Sequence, residues 1–172
     1  KNINTIVSRG SAFLNVETKK RLNTISLTDY ITKFYLNVVF NYIDFVKELG
    51  SFGQYIMISS SAVYPEYGVQ PFLEESEKSA NKFWGAYGTD KIEAENALLE
   101  RVPEAYILRP PYLYGAMNNV YREAFVFDCA RADRKFYLPG DGKMKMQFFH
   151  VKDLCRLIEV IINDKPSEHI LN

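Results

Sequence analysis

Gln54-Tyr55-Ile56-Met57-Ile58-Ser59-Ser60-Ser61, followed later by Tyr87-Gly88-Thr89-Asp90-Lys91 and then by Ala105-Tyr106-Ile107-Leu108-Arg109-Pro110-Pro111, decides the fold. The first and third stretches are short apolar runs bounded by serine or proline, as expected of strands buried on both faces. Between them, residues 87–101 are rich in Glu, Ala, Leu and Lys and stop before Pro103, which reads as a helix. Strand, helix, strand is the unit of an α/β fold with a mostly parallel sheet.

Working outward, residues 120–131 and 153–162 carry helical spacing, and 147–150 between them read as a short strand. Pro139-Gly140-Asp141-Gly142 reads as a turn, and Glu74-Glu75-Ser76-Glu77-Lys78 as a solvated loop. The first 50 residues admit two readings. One makes 3–8, 21–26 and 36–42 three strands, with short helices at 27–34 and 44–49; the other makes 3–8 one strand and 27–49 one long helix. Val38, Val39, Phe40, Tyr42 and Ile43 favour the three strands. The chain opens on a strand-like run and closes on another at 169–172, which points to a single partial domain, 1–172, cut from a longer protein.

Composition narrows the function classes. Lys plus Arg equals Asp plus Glu at 21 each, so the charge balance supplies no basic footprint for nucleic acid. Cys129 and Cys155 lie in apolar, helix-like segments and read as buried free thiols of a reducing compartment. No stretch approaches the roughly 20 apolar residues of a membrane span, and no signal-peptide pattern is visible, which together point to the cytoplasm. Two histidines and two scattered cysteines lack the spacing of a metal site. His150, among aromatic residues, reads as a core or rim histidine.

Tyr87 and Lys91 carry the strongest chemical signal. Residues four apart on a helix share a face. A phenol ordinarily titrates near pKa ~10, and bringing one to neutrality takes about 4 kcal/mol, part of which a neighbouring ammonium supplies. Such a pair is common on solvated helices, so the context matters. Ser59, Ser60 and Ser61 stand at a strand's carboxyl end, where open α/β sheets bind ligands.

In this order the segments 58–64, Tyr87–Lys91, 108–115 and 148–154 resemble the NAD-dependent epimerase/dehydratase family, of the extended short-chain dehydrogenase/reductase type. The resemblance runs over residues 50–172. It implies an α/β, Rossmann-like, doubly wound and mostly parallel sheet, with 112–150 contributing to the substrate-side region. It implies Tyr87 as catalytic base or acid, Lys91 as its electrostatic partner and ribose contact, and Ser60, or its neighbour Ser61, as the catalytic serine. Ser59 and the backbone at Pro110 are implied on the cofactor side, and Tyr112, Asn118 and Arg122 on the side of a nucleotide-sugar substrate. The cofactor is NAD or NADP.

The departures are specific. No G-x-x-G-x-x-G loop is present, so the first glycine-rich βα unit of the family is lacking. Ser8 and Arg9 then end either the second strand, where an arginine suits the 2′-phosphate of NADP, or the fourth, near the nicotinamide ribose. Ala116 stands where the family usually has proline, and Met146-Gln147 where Arg-Asp is common. The reading that follows is a sugar-nucleotide epimerase/dehydratase-like oxidoreductase with a small-molecule substrate and neither a nucleic-acid nor a membrane partner. The rival is a non-catalytic binding or scaffold protein on the same fold. An open sheet edge also allows for a homo-oligomer.

Overall fold

The computed structural model describes residues 5–8, 13–14, 46, 52–116, 118, 120–138 and 140–172. In chain order its elements are β1 (Thr5–Ser8), β2 (Phe13–Leu14), β3 (Gln54–Ile58), a 3-10 turn (Ser61–Val63), α1 (Ala86–Arg101), β4 (Tyr106–Leu108), β5 (Tyr112–Tyr114), α2 (Glu123–Arg131), β6 (Phe148–His150), α3 (Val151–Asp164) and β7 (Ile170–Leu171). Five strands make the main sheet in the order β2-β1-β3-β4-β7. β2 runs antiparallel to β1, and the other pairs are parallel.

The alternation of side chains along the strands determines what covers the sheet. Tyr55, Met57 and Ile107 point to one face and pack against Ala94 and Leu98 of α1, with Val46, Val102 and Ala105. Ile56, Tyr106 and Leu108 point to the other face and meet Leu154 and Ile161 of α3. Two-sided cover is what unbroken apolar strands require. The α/β, mostly parallel architecture expected from the sequence is therefore present.

The two covering helices differ in kind. α3 lays Leu154, Leu157, Ile158, Ile161 and Ile162 along one stripe against the sheet. His150 caps its first turn, with Nδ1 accepting from the Lys152 N–H (3.1 Å), and Lys165 ends it in the left-handed conformation (φ 48°). α1 instead buries Gly88, Lys91, Ala94, Glu95 and Leu98. Two charged residues occupy positions where a core helix ordinarily carries Leu or Ile. They mark the site.

After β4 the chain meets Pro110 and Pro111, which have no N–H to continue a ladder. It leaves the main sheet there, and β5 pairs in parallel with β6: Tyr112 with Phe148, Leu113 with Phe149, Tyr114 with His150. Gly115, at φ +126°, turns the chain away; a side chain there would press on Val151 and on the His150 ring.

Several expectations need correction. β1 pairs directly with β3. In a doubly wound sheet of order 3-2-1-4-5-6, the second strand does not touch the strand that carries the serines, whereas the fourth does. The favoured placement of 3–8 as second strand therefore gives way to the fourth-strand placement. Segments 21–26, 27–34 and 36–42 lie outside the described residues, and so does the 27–49 helix except for Val46, which is helical and buried. Cys129 is buried, but Cys155 is exposed on the outer side of α3. The helix expected over 120–131 begins only at Glu123.

The α1 face of the core supplies a stability test. Leu98 has no solvent exposure, so Leu98→Ala is expected to cost about 2–5 kcal/mol of unfolding free energy. Urea denaturation checks it; a loss below about 1 kcal/mol would mean that α1 is not docked as described.

Candidate active site

The site is built where β3 ends. Beyond the strand, the Ser59 N–H donates to Leu108 O (2.6 Å) and the Ser61 N–H to Pro110 O (3.1 Å), so the serines stay in register with the end of β4. The chain then tightens into the turn Ser61–Val63, capped by Ser60, whose Oγ accepts from the Ala62 N–H (3.2 Å). α1 comes very close to this turn. A Cβ on Gly88 would lie 2.6 Å from Ala62 O, so only glycine permits the approach.

That contact delivers the tyrosine and the lysine. Lys91 is buried, and its Nζ donates to Ile58 O (3.2 Å), the last residue of β3. The same Nζ lies 5.8 Å from the centre of the Tyr87 ring. Tyr87 itself is half exposed. The phenol and the ammonium thus share one helix face at the serine end of the sheet.

One turn further along the same face stands Glu95, which has no solvent exposure. Its Oε1 accepts from Ser59 Oγ (2.5 Å) and Arg109 Nε (3.1 Å). Its Oε2 accepts from Arg109 Nη2 (2.8 Å) and Lys78 Nζ (3.1 Å). Burial pushes the Glu95 carboxyl up, but the hydrogen bonds from Arg109 and Ser59 and the charges of Arg109 and Lys78 outweigh it, holding it below its ordinary 4.5. Arg109 also donates through Nη1 to the Tyr64 hydroxyl (2.7 Å) and to Glu74 O (2.9 Å). The 74–78 segment is therefore not merely solvated: its backbone and Lys78 belong to this network. Glu95 was not singled out from the sequence, although 87, 91 and 95 are spaced four apart.

On the outer flank a chain of rings leads from Tyr87 to Trp84 (6.0 Å between centres), Tyr112 (6.2 Å) and Phe148 (5.9 Å). The Arg122 guanidinium lies over the Tyr112 ring at 4.6 Å and donates to Leu113 O (2.7 Å). Tyr112 and Arg122, expected on the substrate side, are thus in mutual contact. Asn118 is exposed and turned to its own loop, donating to Glu123 Oε1 (2.8 Å) and accepting from the Val120 N–H (3.1 Å).

The cofactor-side expectations divide. Ser59, expected on the cofactor, is buried and its hydroxyl is committed to Glu95. Pro110 is buried, with its carbonyl held by Ser61. Ser8 ends β1, and Arg9 lies outside the described residues. A cavity of about 530 Å³ lined by Phe52, Gln54, Arg101, Tyr106, Lys165 and His169 opens at the amino ends of β3 and β4, away from Tyr87. Ligands of such sheets bind at the carboxyl ends, so the serine end is the better candidate. Among the described residues no helix is long and apolar enough to cross a membrane, and no cluster of His, Cys, Asp and Glu is arranged to hold a metal.

Comparison with known proteins bears on the family and the fold. The profile of the NAD dependent epimerase/dehydratase family matches residues 21–172. A chloroplast stem-loop binding protein of 41 kDa from Arabidopsis thaliana is 32% identical over 131 residues, covering 74% of this chain and 33% of that protein. The chain thus spans about a third of the length of that curated relative. Among solved structures, the Bordetella bronchiseptica enzyme WbmG in complex with NAD matches with a TM-score of 0.64 and 13% identity, over 75% of this chain and 40% of that one. UDP-glucuronic acid 4-epimerase from Bacillus cereus, with UDP-glucuronic acid and NAD, matches with a TM-score of 0.58 and 20% identity, over 81% and 47%. At these identities the structural matches speak for the fold.

The depressed Glu95 carboxyl gives a pH prediction. Because the folded value lies below the unfolded 4.5, its contribution to stability is full above that pH and is lost as the pH falls through the folded value. Urea unfolding between pH 3 and 7 should show this decline on the acid side, reduced in Glu95→Gln. An equal decline in wild type and Glu95→Gln would assign it to other carboxylates.

Proposed function

Because the chain belongs to the NAD dependent epimerase/dehydratase family, we propose that it is the Tyr–Lys–Ser part of an oxidoreductase acting on a nucleotide-linked sugar. The observation that supports this reading is the docking of α1 on the serine turn, with Gly88 against Ala62 O and the Lys91 ammonium bonded to the end of β3 on the same helix face as Tyr87. In this reading Tyr87, as phenolate, takes the proton of a substrate hydroxyl and returns it when the oxygen is reprotonated. The Lys91 ammonium stabilises the phenolate charge. Ser60 accepts from Ala62 N–H through a lone pair, which leaves its own proton for the substrate oxygen. Ser61, exposed on the same turn, is its alternate.

The donor set fits the nicotinamide-ribose end of NAD or NADP: an ammonium and a phenol on one helix face, and serine hydroxyls on the turn that helix packs against, at the carboxyl ends of parallel strands. When bound, such a cofactor supplies the acceptance and return of a hydride. Tyr112, with Arg122 across its ring, lies on the flank where the sugar nucleotide is proposed to sit.

Trp84 makes the reading testable, since it is the chain's single tryptophan and stands 6.0 Å from the Tyr87 ring. Titration with NAD(H) or NADP(H) is expected to quench its emission to saturation. Tyr87→Phe should keep that quenching while lowering nucleotide-sugar turnover by about 10²- to 10⁴-fold. No quenching with either cofactor when the glycine-rich βα unit of the family is also present sinks the oxidoreductase reading; unchanged turnover removes Tyr87 from the chemistry.

The Arabidopsis relative, a stem-loop binding protein by name, supports a second reading, a non-catalytic nucleic-acid-binding protein on the same fold. Arg131, Arg134, Lys135, Lys143 and Lys145 are exposed along one segment, together with Tyr137, a pairing of cations and an open ring that suits single-stranded RNA. This reading expects a stem-loop RNA to bind with an affinity that falls steeply with salt. Fluorescence anisotropy at two salt concentrations decides it: no RNA-dependent change at the lower one removes this reading.

A further inference from the structure

We propose that Glu95 is the positioning residue of this site, a carboxylate that fixes the register between the Tyr–Lys helix and the serine turn. The inference rests on the oxidoreductase reading for its link to turnover and on geometry for everything else. Apolar contacts between a helix and a sheet are non-directional and tolerate small slides and rotations. A proton-transfer site does not, and wants its groups within about 0.5 Å of the productive arrangement. The Leu98 and Ala94 contacts alone leave that tolerance in place.

Two directional tethers remove it. Lys91 is bonded to Ile58 O, and Glu95, one turn along the same helix, to Ser59 Oγ. Neighbouring residues at the end of β3 are thereby tied to successive turns of α1, which fixes both the rise and the rotation of the helix. Arg109 closes the frame from the other side. It binds both Glu95 oxygens and reaches, through Nη1, the hydroxyl of Tyr64, whose own N–H caps the serine turn at Ser61 O (3.2 Å). Ser60 and Ser61 are thus bracketed by Ser59 and Tyr64, both held in one network.

Stability alone does not account for these charges. Glu95 and Arg109 are 0% and 2% exposed, and a well-packed apolar pair of similar volume commonly serves a fold as well or better than a buried ion pair. What an apolar pair lacks is direction. Glu95 is not a catalytic residue, because its oxygens are taken up by Ser59, Arg109 and Lys78.

The test compares the wild-type chain with Ser59→Ala, Glu95→Gln and the paired replacement Glu95→Leu with Arg109→Met. Glu95→Gln is expected to lower the urea midpoint, since it leaves the Arg109 charge without its partner, and the paired replacement to recover most of that loss. Lys78 is partly exposed and solvated in the pair. Turnover of the paired variant should nevertheless stay down by about 10²-fold. NAD affinity, read from Trp84 emission, should hold within about threefold because no cofactor-facing group is altered. Ser59→Ala, which removes one tether, should lower turnover by about tenfold without unfolding the chain.

Amide hydrogen exchange at Ser61 and Ala62 gives a readout that needs no cofactor, and it should accelerate at least about tenfold in the paired variant. Should the wild-type chain neither bind NAD nor turn over, the exchange rates alone decide the positioning role. A paired variant that regains both its midpoint and wild-type exchange, or a Ser59→Ala chain with unchanged turnover and exchange, overturns the proposal. If the paired variant does not fold, Ser59→Ala decides by the same two readouts.

Discussion

The structure turns on one electrostatic constraint: a carboxylate withdrawn from water at a helix–sheet interface must find its full complement of donors there. An isolated buried carboxylate costs several kcal/mol, so Glu95 dictates its surroundings. It draws in Arg109 from the end of β4, Ser59 from the end of β3 and Lys78 from the loop between β3 and α1. The Tyr64 hydroxyl, engaged by Arg109, lies 2.7 Å from Asn172 Oδ1 beside the end of β7. Three strand ends, a loop and a helix therefore meet around one negative charge. The serine turn lies inside that frame.

How much of this was legible in the sequence follows from the range of each interaction. Strands β3 and β4 and helix α1 announce themselves locally, through apolar runs and helix-forming residues, and the structure has them within a residue or two of the expected limits. The Tyr87–Lys91 pair and the serine end were also legible, because a spacing of four and a strand terminus are short-range signals. Glu95 was not. The spacing of four from Lys91 put it on the same helix face, but its meaning lies in partners 14, 36 and 17 positions away, which no local pattern names. The β5–β6 pairing was hidden for the same reason, since a parallel partner must come from a distant segment. Near the N-terminus the β-branched residues argued for more strands, yet the position of β1 is set by its neighbour β3 rather than by its own composition.

The two proposed readings rest on different surfaces of this chain. A half-exposed phenol, an ammonium and serine hydroxyls at the carboxyl ends of parallel strands suit a nicotinamide cofactor and an alcohol. The exposed cations and aromatic residues of 131–145 lie in another part of the sequence, between α2 and β6. Fold and site are therefore separable: a chain on this scaffold can lean on either surface without rebuilding the other. The buried Glu95 frame is relevant to the first surface and indifferent to the second.

The contact between Gly88 and the Ala62 carbonyl has a lopsided mutational consequence. On the Ala62 side it uses only main-chain oxygen, which every amino acid provides, so that partner is free to drift as far as this contact is concerned. On the Gly88 side it uses the absence of a β-carbon, which no other residue reproduces. Random substitution therefore meets a one-sided barrier: nearly all the intolerance of the joint between helix and turn is concentrated in a single codon, and a methyl group added there acts as a wedge whose thickness is the smallest increment by which phenol and serines can be moved apart.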